Sequence, residues 1–177
     1  MKASGALSVV LLQLSITMAA AQLPAPVVSS VALSKDALIG TWQIVTVETV
    51  SPSGEAHTKW LGVRPTGWII YSSSAHMSVQ LMRDPRPLFA MPGYRNATER
   101  EKAAALDGYY AYFGTFDVDL EARTVTHHVL GSLRPHEVGR KLTRQFRLEG
   151  DRLTLTTPQF DEEGEKRFNR LVWERVK

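Results

Sequence analysis

Short runs of alternating apolar and polar residues, separated by turn residues, dominate the chain from about residue 40 onward. The run GTWQIVTVETV is rich in β-branched residues and is followed by Pro52-Ser53-Gly54, which is typical of a strand that ends in a turn. In HMSVQLM, at 76–82, every second residue is apolar, and this period of two predicts a strand with one buried face. GWIIYS, at 67–72, comes before it, and a short serine-rich link joins the two segments. This arrangement predicts a hairpin.

The second half of the chain continues this pattern, with turn residues between the apolar runs. Further strands are predicted at 115–120, 124–133, 140–149, 152–157 and 170–176. The total is about eight strands, and links this short join antiparallel neighbours. We therefore expect a mostly β protein, with the strands closed into a barrel around a small cavity or packed as a sandwich.

One helix is predicted between the strands. Thr98 and Glu101 have the spacing of a capping box, in which each side chain satisfies a backbone N–H at the start of a helix. The apolar pattern continues to Phe113, and Gly114 is a plausible stop. Gly108 disfavours the helical state, so an earlier end is the alternative.

The N-terminal segment has the features of a secretory signal peptide. Lys2 supplies a positive charge, an apolar stretch follows, and Ala19-Ala20-Ala21 places small residues before Gln22. We predict a signal peptide at 1–21, a linker rich in Pro and Ser at 22–36 and one domain at 37–177; an uncleaved anchor is the alternative. The expected location is therefore the periplasm or the extracellular space, with no membrane span after cleavage.

Composition narrows the function classes. The chain has no cysteine, which excludes disulfides, thiolate metal sites and thiol catalysis. Its formal net charge is only +3, and the basic residues are scattered among acidic ones, so we expect no nucleic-acid partner. The histidines lack the H-x-H and H-x-x-x-H spacings of metal sites, and no phosphate-binding or dinucleotide-binding motif is present. We expect neither a metal nor a cofactor.

Several strings together resemble the lipocalin-like domain family, whose members are calycin-type barrels. They are GTW at 40–42, IIYSSSAHMSVQL, the segment 97–116, VTHHVLGSL, GDRLTLTTP and LVWERV. The likeness runs from about Leu38 to Val176 and implies a lipocalin-like barrel. It also implies that Arg175, on the last strand, lies over Trp42, as an arginine of a late strand often does in lipocalins. The helix between the strands is a departure, because in the best-known lipocalins the main helix follows the barrel strands.

Two arginines lie in register with apolar residues on strands that should line the barrel. Arg144 alternates with Leu142 and Phe146, and Arg175 alternates with Trp173. A buried guanidinium is costly unless it is paired, and it can pair with two oxygens of a ligand carboxylate. For Arg144 we keep open a ligand anchor, an internal ion pair and a position at the barrel end; for Arg175 we favour packing on Trp42.

The pair His127-His128 presents one imidazole to each face of its strand. A three-residue loop at 121–123 would place Phe116 opposite His128 and Asp117 opposite His127, whereas a two-residue loop would place Asp117 opposite His128. Either register sets a carboxylate near an imidazole, which suits a general base as well as a surface ion pair. With the three-residue loop, His128 is the inward residue and the preferred catalytic candidate, with His127 and Asp117 as its companions.

Further residues are candidates for the pocket. Tyr71, Tyr112, Phe116 and Trp173 are suited to a cavity wall, although core packing is the ordinary role of such residues. His76 begins a strand and is a candidate ligand contact or only a turn residue.

Three functions are compatible with these observations. The leading hypothesis is an exported barrel that binds a small hydrophobic or amphipathic molecule, such as a carboxylate, in its cavity. The first alternative is a cofactor-independent acid–base enzyme, such as an isomerase, cyclase or hydratase, acting on a hydrophobic small molecule. The second alternative is a solidly packed barrel that recognises another protein. The sequence does not indicate an oligomeric state.

Overall fold

The predicted strands pair into one closed barrel. The computed structural model describes residues 34–57 and 60–177. Its strands are β1 (Gly40–Val50), β2 (Ala56–His57), β3 (Thr66–Tyr71), β4 (His76–Met82), β5 (Tyr109–Asp119), β6 (Thr124–Ser132), β7 (Lys141–Glu149), β8 (Arg152–Thr156), β9 (Phe160–Glu162) and β10 (Glu165–Arg175). The predicted signal peptide lies outside the described residues. A 3₁₀ turn at Lys35–Leu38 precedes β1 and spans the predicted boundary between linker and domain at 36/37. This boundary stays a prediction.

Antiparallel pairing in chain order closes the barrel. The order runs β1-β3-β4-β5-β6-β7-β8-β10, and β10 then pairs with β1, with Trp42 opposite Arg175. The short strands β2 and β9 pair with β1 and β10 and lie outside this closed set. The expectation of an eight-stranded antiparallel barrel is therefore confirmed, and the sandwich is excluded.

Alternation along each strand separates the interior from the surface. On β4, Met77, Val79 and Leu81 are buried, whereas the three polar residues between or before them are exposed or half-buried. The same alternation recurs on β8, where Leu153 and Leu155 are buried. The period of two therefore identified the inward side chains of these strands correctly.

The single α-helix, α1, lies between β4 and β5 and spans Glu99–Asp107. Its start is as predicted, because Thr98 and Glu101 form the capping box. Its predicted extension to Phe113 is wrong, and the alternative of an earlier end is correct. The last helical residue is Asp107, Gly108 is the C-cap, and Tyr109–Asp119 forms β5. The aromatic residues that follow Gly108 pair with β4 and β6, and these sheet hydrogen bonds outweigh continuation of the helix across a glycine.

Trp42 and Arg175 close one end of the barrel. The Trp42 ring is fully buried, and its Nε1 donates to the Leu38 carbonyl at 2.8 Å. The Arg175 guanidinium carbon lies 4.0 Å from the Trp42 ring centroid, which confirms the expected cation–π contact. Its two terminal nitrogens donate to the carbonyls of Ile39 and Ala37, each at 2.7 Å. This arginine therefore ties the chain before β1 to the last strand.

Replacing Gly40 by alanine is expected to lower the free energy of unfolding by roughly 1–2 kcal/mol. Gly40 has φ +134°, which side-chain-bearing residues rarely adopt, and an added Cβ would lie 2.8 Å from Nη1 of Arg175. The guanidinium would have to leave the carbonyls that hold it. Urea unfolding of the variant measures the loss.

Gly54→Ala is the matched control, because Gly54 also has a positive φ, +86°, but has nothing within 4 Å of an added Cβ. It carries the backbone strain without the displacement of Arg175. Equal losses in the two variants would show that contact with Arg175 is not the reason for glycine at position 40.

Candidate functional site

A cavity of about 160 Å³ lies inside the barrel. Each of the eight barrel strands contributes at least one side chain to its wall, including Ile69 from β3, Val79 from β4 and Leu155 from β8. Side chains with polar groups, among them Tyr112, His127 and Arg144, share the wall with these apolar ones. A concave space that combines apolar side chains with polar groups able to orient a ligand is the usual form of a small-molecule site.

A buried hydrogen-bonded chain of three side chains forms part of this region. The hydroxyl of Tyr71 lies 2.7 Å from Nε2 of His127, and the hydroxyl of Tyr112 lies 2.8 Å from Nδ1 of the same ring. His127 is 1% exposed. His127 and Tyr112 lie on the cavity wall, whereas Tyr71 packs behind them. Both ring nitrogens are thus satisfied without a carboxylate.

Burial keeps this chain uncharged. The pKa of His127 is lowered to about 3, first by desolvation and then by the positive charges of Arg144 and His128. Burial also raises the pKa of Tyr112 to about 12 and that of Tyr71 well above its ordinary value. At neutral pH the three groups are therefore a neutral imidazole and two intact hydroxyls.

Arg144 reaches the same cavity from β7, as its alternation with Leu142 and Phe146 predicted. Its Nη1 donates to the Thr143 carbonyl at 2.9 Å. No carboxylate among residues 34–57 and 60–177 forms an ion pair with it. Of the roles left open for this residue, the internal ion pair is therefore absent from the described part of the chain.

Glu137 and its neighbours line another part of the cavity. One carboxylate oxygen accepts from the hydroxyls of Tyr110 and Ser132, both at 2.9 Å, and the other lies 3.5 Å from Arg134. The Arg134 guanidinium also lies over the rings of Trp60 and Tyr110. Since the Arg134 side chain is 45% exposed, this group borders solvent.

The sequence profile of the lipocalin-like domain family matches residues 39–176. The chain belongs to this family. The match covers the whole barrel, from the residue before β1 to the residue after β10. It therefore agrees with the closed topology and confirms the resemblance seen in the sequence.

One relative of this lipocalin-like domain protein is named as a carrier. The 4'-hydroxy-3'-methoxypropiophenone carrier protein of Aspergillus oryzae is 33% identical to it over 87 residues. The aligned part is 46% of this chain and 78% of the relative.

The expected inward orientation of His128 is wrong. Asp119 pairs with Thr124, which leaves a four-residue link at 120–123, longer than either loop considered from the sequence. His127 consequently pairs with Phe116 and points inward, while His128 lies on the outer face. There its Nε2 is 2.6 Å from the exposed Asp117 carboxylate. The expected carboxylate–imidazole pair exists, but it does not reach the cavity.

Two other candidates lie away from the cavity. His76 is exposed at the turn between β3 and β4, and its Nδ1 is 2.9 Å from the Ser74 carbonyl oxygen. Of the two roles considered for His76, a ligand contact and a turn residue, the structure shows the turn residue. Phe116 is buried against Tyr71, with 4.7 Å between the ring centroids, and is not among the residues that line the cavity. Trp173 does line it, and its indole N–H is buried with no partner among the described residues.

Sequence reasoning missed the residues that border solvent. Trp60, Arg134 and Glu137 lie outside the strands, so alternation gives no indication of their direction. Residues 34–57 and 60–177 contain no group of three or more side chains suited to hold a metal ion, and no helix among them is long and apolar enough to cross a membrane.

Proposed function

We propose that the protein is an exported carrier that holds one small hydrophobic or amphipathic molecule, about the size of a single substituted aromatic ring, in the barrel. The observation that carries this proposal is the cavity of about 160 Å³, whose wall combines apolar side chains with polar groups. A dry cavity of about 150 Å³ engineered in another protein binds benzene. The available space therefore suits a single-ring compound better than a long-chain lipid.

The name of the relative supports the same class. The Aspergillus oryzae protein is named as the carrier of an aromatic ketone with one ring. A ketone of this kind combines an apolar ring with oxygen acceptors. Arg144 and Tyr112 on the cavity wall are groups that can donate to such oxygens.

Native mass spectrometry of the protein purified from its own host tests the proposal. We expect a protein mass increased by one small molecule and reduced to the bare mass on gentle activation. Titration with benzoate, acetophenone and α-methylstyrene, followed by tryptophan fluorescence, supplies a second measurement. The proposal fails if the purified protein carries nothing and none of the three compounds binds.

Arg144→Met is expected to weaken the binding of benzoate by roughly 1.5–3 kcal/mol, the scale of a hydrogen bond to a charged group. Methionine retains much of the length and apolar character of the arginine stem but cannot donate to a carboxylate. Binding of α-methylstyrene, which has a similar shape and no oxygen, should change little. Isothermal calorimetry on both ligands measures the difference.

Arg147→Met is the matched control, because Arg147 lies on the same strand and its side chain is 74% exposed. It removes the same charge without changing the cavity. An equal loss for benzoate and α-methylstyrene in Arg144→Met would rule out an anchor role for this arginine.

Export is the second part of the proposal, and its support is the signal-peptide pattern in the sequence. We expect the N-terminus of the exported protein at or near Gln22. Edman sequencing of protein from the host's periplasm or medium checks this. Recovery of a membrane-bound form that retains Met1 would support the uncleaved anchor instead.

The alternatives have less support. The outward position of His128 leaves His127 as the imidazole at the cavity, and its pKa of about 3 makes it a weak base at neutral pH. A solidly packed barrel does not agree with the cavity. The carrier hypothesis therefore fits the geometry best.

A further inference from the structure

The chain of Tyr71, His127 and Tyr112 has one hydrogen more than its internal bonds use. A neutral imidazole carries a single N–H, and each hydroxyl carries a single O–H. The chain contains two hydrogen bonds, one at each ring nitrogen. One hydroxyl must therefore donate to the imidazole and the other must accept from it. The accepting hydroxyl has a hydrogen left for another partner.

The two ends of the chain lie in different surroundings. Tyr71 is 1% exposed, packs edge-on against Phe116 and is not part of the cavity wall. Its hydroxyl has no partner among the described residues other than His127. Tyr112 and His127 both line the cavity, and the Tyr112 hydroxyl lies 2.8 Å from Nδ1 of His127, so this end of the chain borders the space for a bound molecule. A buried donor without an acceptor is costly, so the spare hydrogen is more stable on Tyr112.

This comparison favours one direction of the hydrogen bonds over the other. Tyr71 donates to Nε2 of His127, and Nδ1–H of His127 donates to the oxygen of Tyr112. The O–H of Tyr112 is then free to donate into the cavity. Tyr71 and His127 do not meet the ligand through these bonds; they orient Tyr112.

Donors exceed free acceptors on the cavity wall. The side-chain acceptors Asn169 Oδ1 and Thr157 Oγ1 already accept from the Thr49 hydroxyl and from the Asn169 backbone N–H. Arg144 has five N–H groups, and a single hydrogen bond, to the Thr143 carbonyl, is found among the described residues. Glu137 is the single carboxylate among the residues that line the cavity, and its oxygens already interact with Tyr110, Ser132 and Arg134. A ligand that supplies an oxygen acceptor would therefore satisfy groups that a hydrocarbon leaves unpaired.

We propose that the ligand is a single-ring aromatic compound with a carbonyl or carboxylate oxygen, which Tyr112 and Arg144 bind together, with Tyr71 and His127 as positioning residues. This inference rests on the proposed carrier function. It adds the ligand's chemical class and states that the ligand's oxygen acceptor faces Tyr112 and Arg144.

Three ligands of similar shape test the acceptor. Benzoate, acetophenone and α-methylstyrene share a ring and a short branched substituent but carry two oxygens, one oxygen and none. We expect acetophenone and benzoate to bind more tightly than α-methylstyrene. Tyr112→Phe should weaken acetophenone binding by about 2- to 12-fold, the range of one hydrogen bond, and leave α-methylstyrene unchanged.

The outcomes separate this inference from the carrier function. Equal affinity for the three ligands would overturn the inference and leave the carrier in place. Binding of none of them would count against both. A thermal melt of Tyr112→Phe shows whether the variant is folded, and its α-methylstyrene affinity shows whether the cavity is intact.

The tautomer of His127 gives a test that needs no ligand. In ¹⁵N-histidine-labelled protein, long-range ¹H–¹⁵N spectra distinguish Nδ1–H from Nε2–H, and His127→Gln assigns the signal. We expect the neutral Nδ1–H form. In Tyr71→Phe the donor to Nε2 is lost, but an Nε2–H would then be buried without an acceptor, so the Nδ1–H form should persist in this variant. An Nε2–H form in the unmodified protein would overturn the inferred direction.

Discussion

Trp42→Ala is expected to lower the free energy of unfolding by about 3–5 kcal/mol, the usual cost of truncating a large buried aromatic residue. The ring is fully buried at the closed end of the barrel. Its removal also leaves the Leu38 carbonyl without the indole donor and Arg175 without the ring beneath it. Urea unfolding followed by circular dichroism measures the change.

Trp68→Ala is the matched control, because Trp68 lies on β3, next to β1, but is 51% exposed. Truncating this ring removes the same side chain without opening the interior. We expect the free energy of unfolding to change by about 0.5 kcal/mol or less. If Trp42→Ala costs less than about 1 kcal/mol, the ring is not part of the core.

The fold was predictable because its main signal is local. Alternation on β4 and β8 separated inward from outward residues without knowledge of the partner strands. The capping box at Thr98 and Glu101 is likewise confined to one turn. The end of α1 was harder to place, because Gly108 only weakly opposes a helix and the competing strand pairs lie far away in sequence.

The site was predictable only in part. Alternation placed Arg144 and Trp173 on the inner face, where they line the cavity. It failed to choose between His127 and His128, because a change of one residue in the β5–β6 link exchanges the two faces. Glu137 lies in a connection after β6, where no periodic pattern applies.

Acid conditions should destabilise the protein through His127. A histidine in an unfolded chain titrates at about pH 6.5, whereas burial beside Arg144 and His128 lowers the pKa of folded His127 to about 3. Between these two values the unfolded chain binds a proton that the folded protein excludes. The contribution of His127 to stability is therefore complete above about pH 6.5 and is lost as the pH falls toward about 3.

The slope of this loss is about 1.4 kcal/mol per pH unit, so lowering the pH from about 7 to about 5 should remove roughly 2 kcal/mol through this residue. His127→Gln cannot titrate, yet its amide can still donate and accept a hydrogen bond. We expect the difference in unfolding free energy between the two pH values to be smaller in His127→Gln than in the unmodified protein by roughly that amount. Urea titrations at both pH values measure it, and the comparison cancels the carboxylates that both proteins share.

His128→Gln supplies the matched control, because it removes the neighbouring histidine from the outer face and leaves His127 buried between its two tyrosines. This variant should keep the steep acid loss. An unchanged slope in His127→Gln, or a slope removed by His128→Gln instead, would mean that the buried imidazole is not the group that resists protonation. The neutral hydrogen-bonded chain at the cavity wall, which requires His127 to stay unprotonated at neutral pH, would then have to be abandoned.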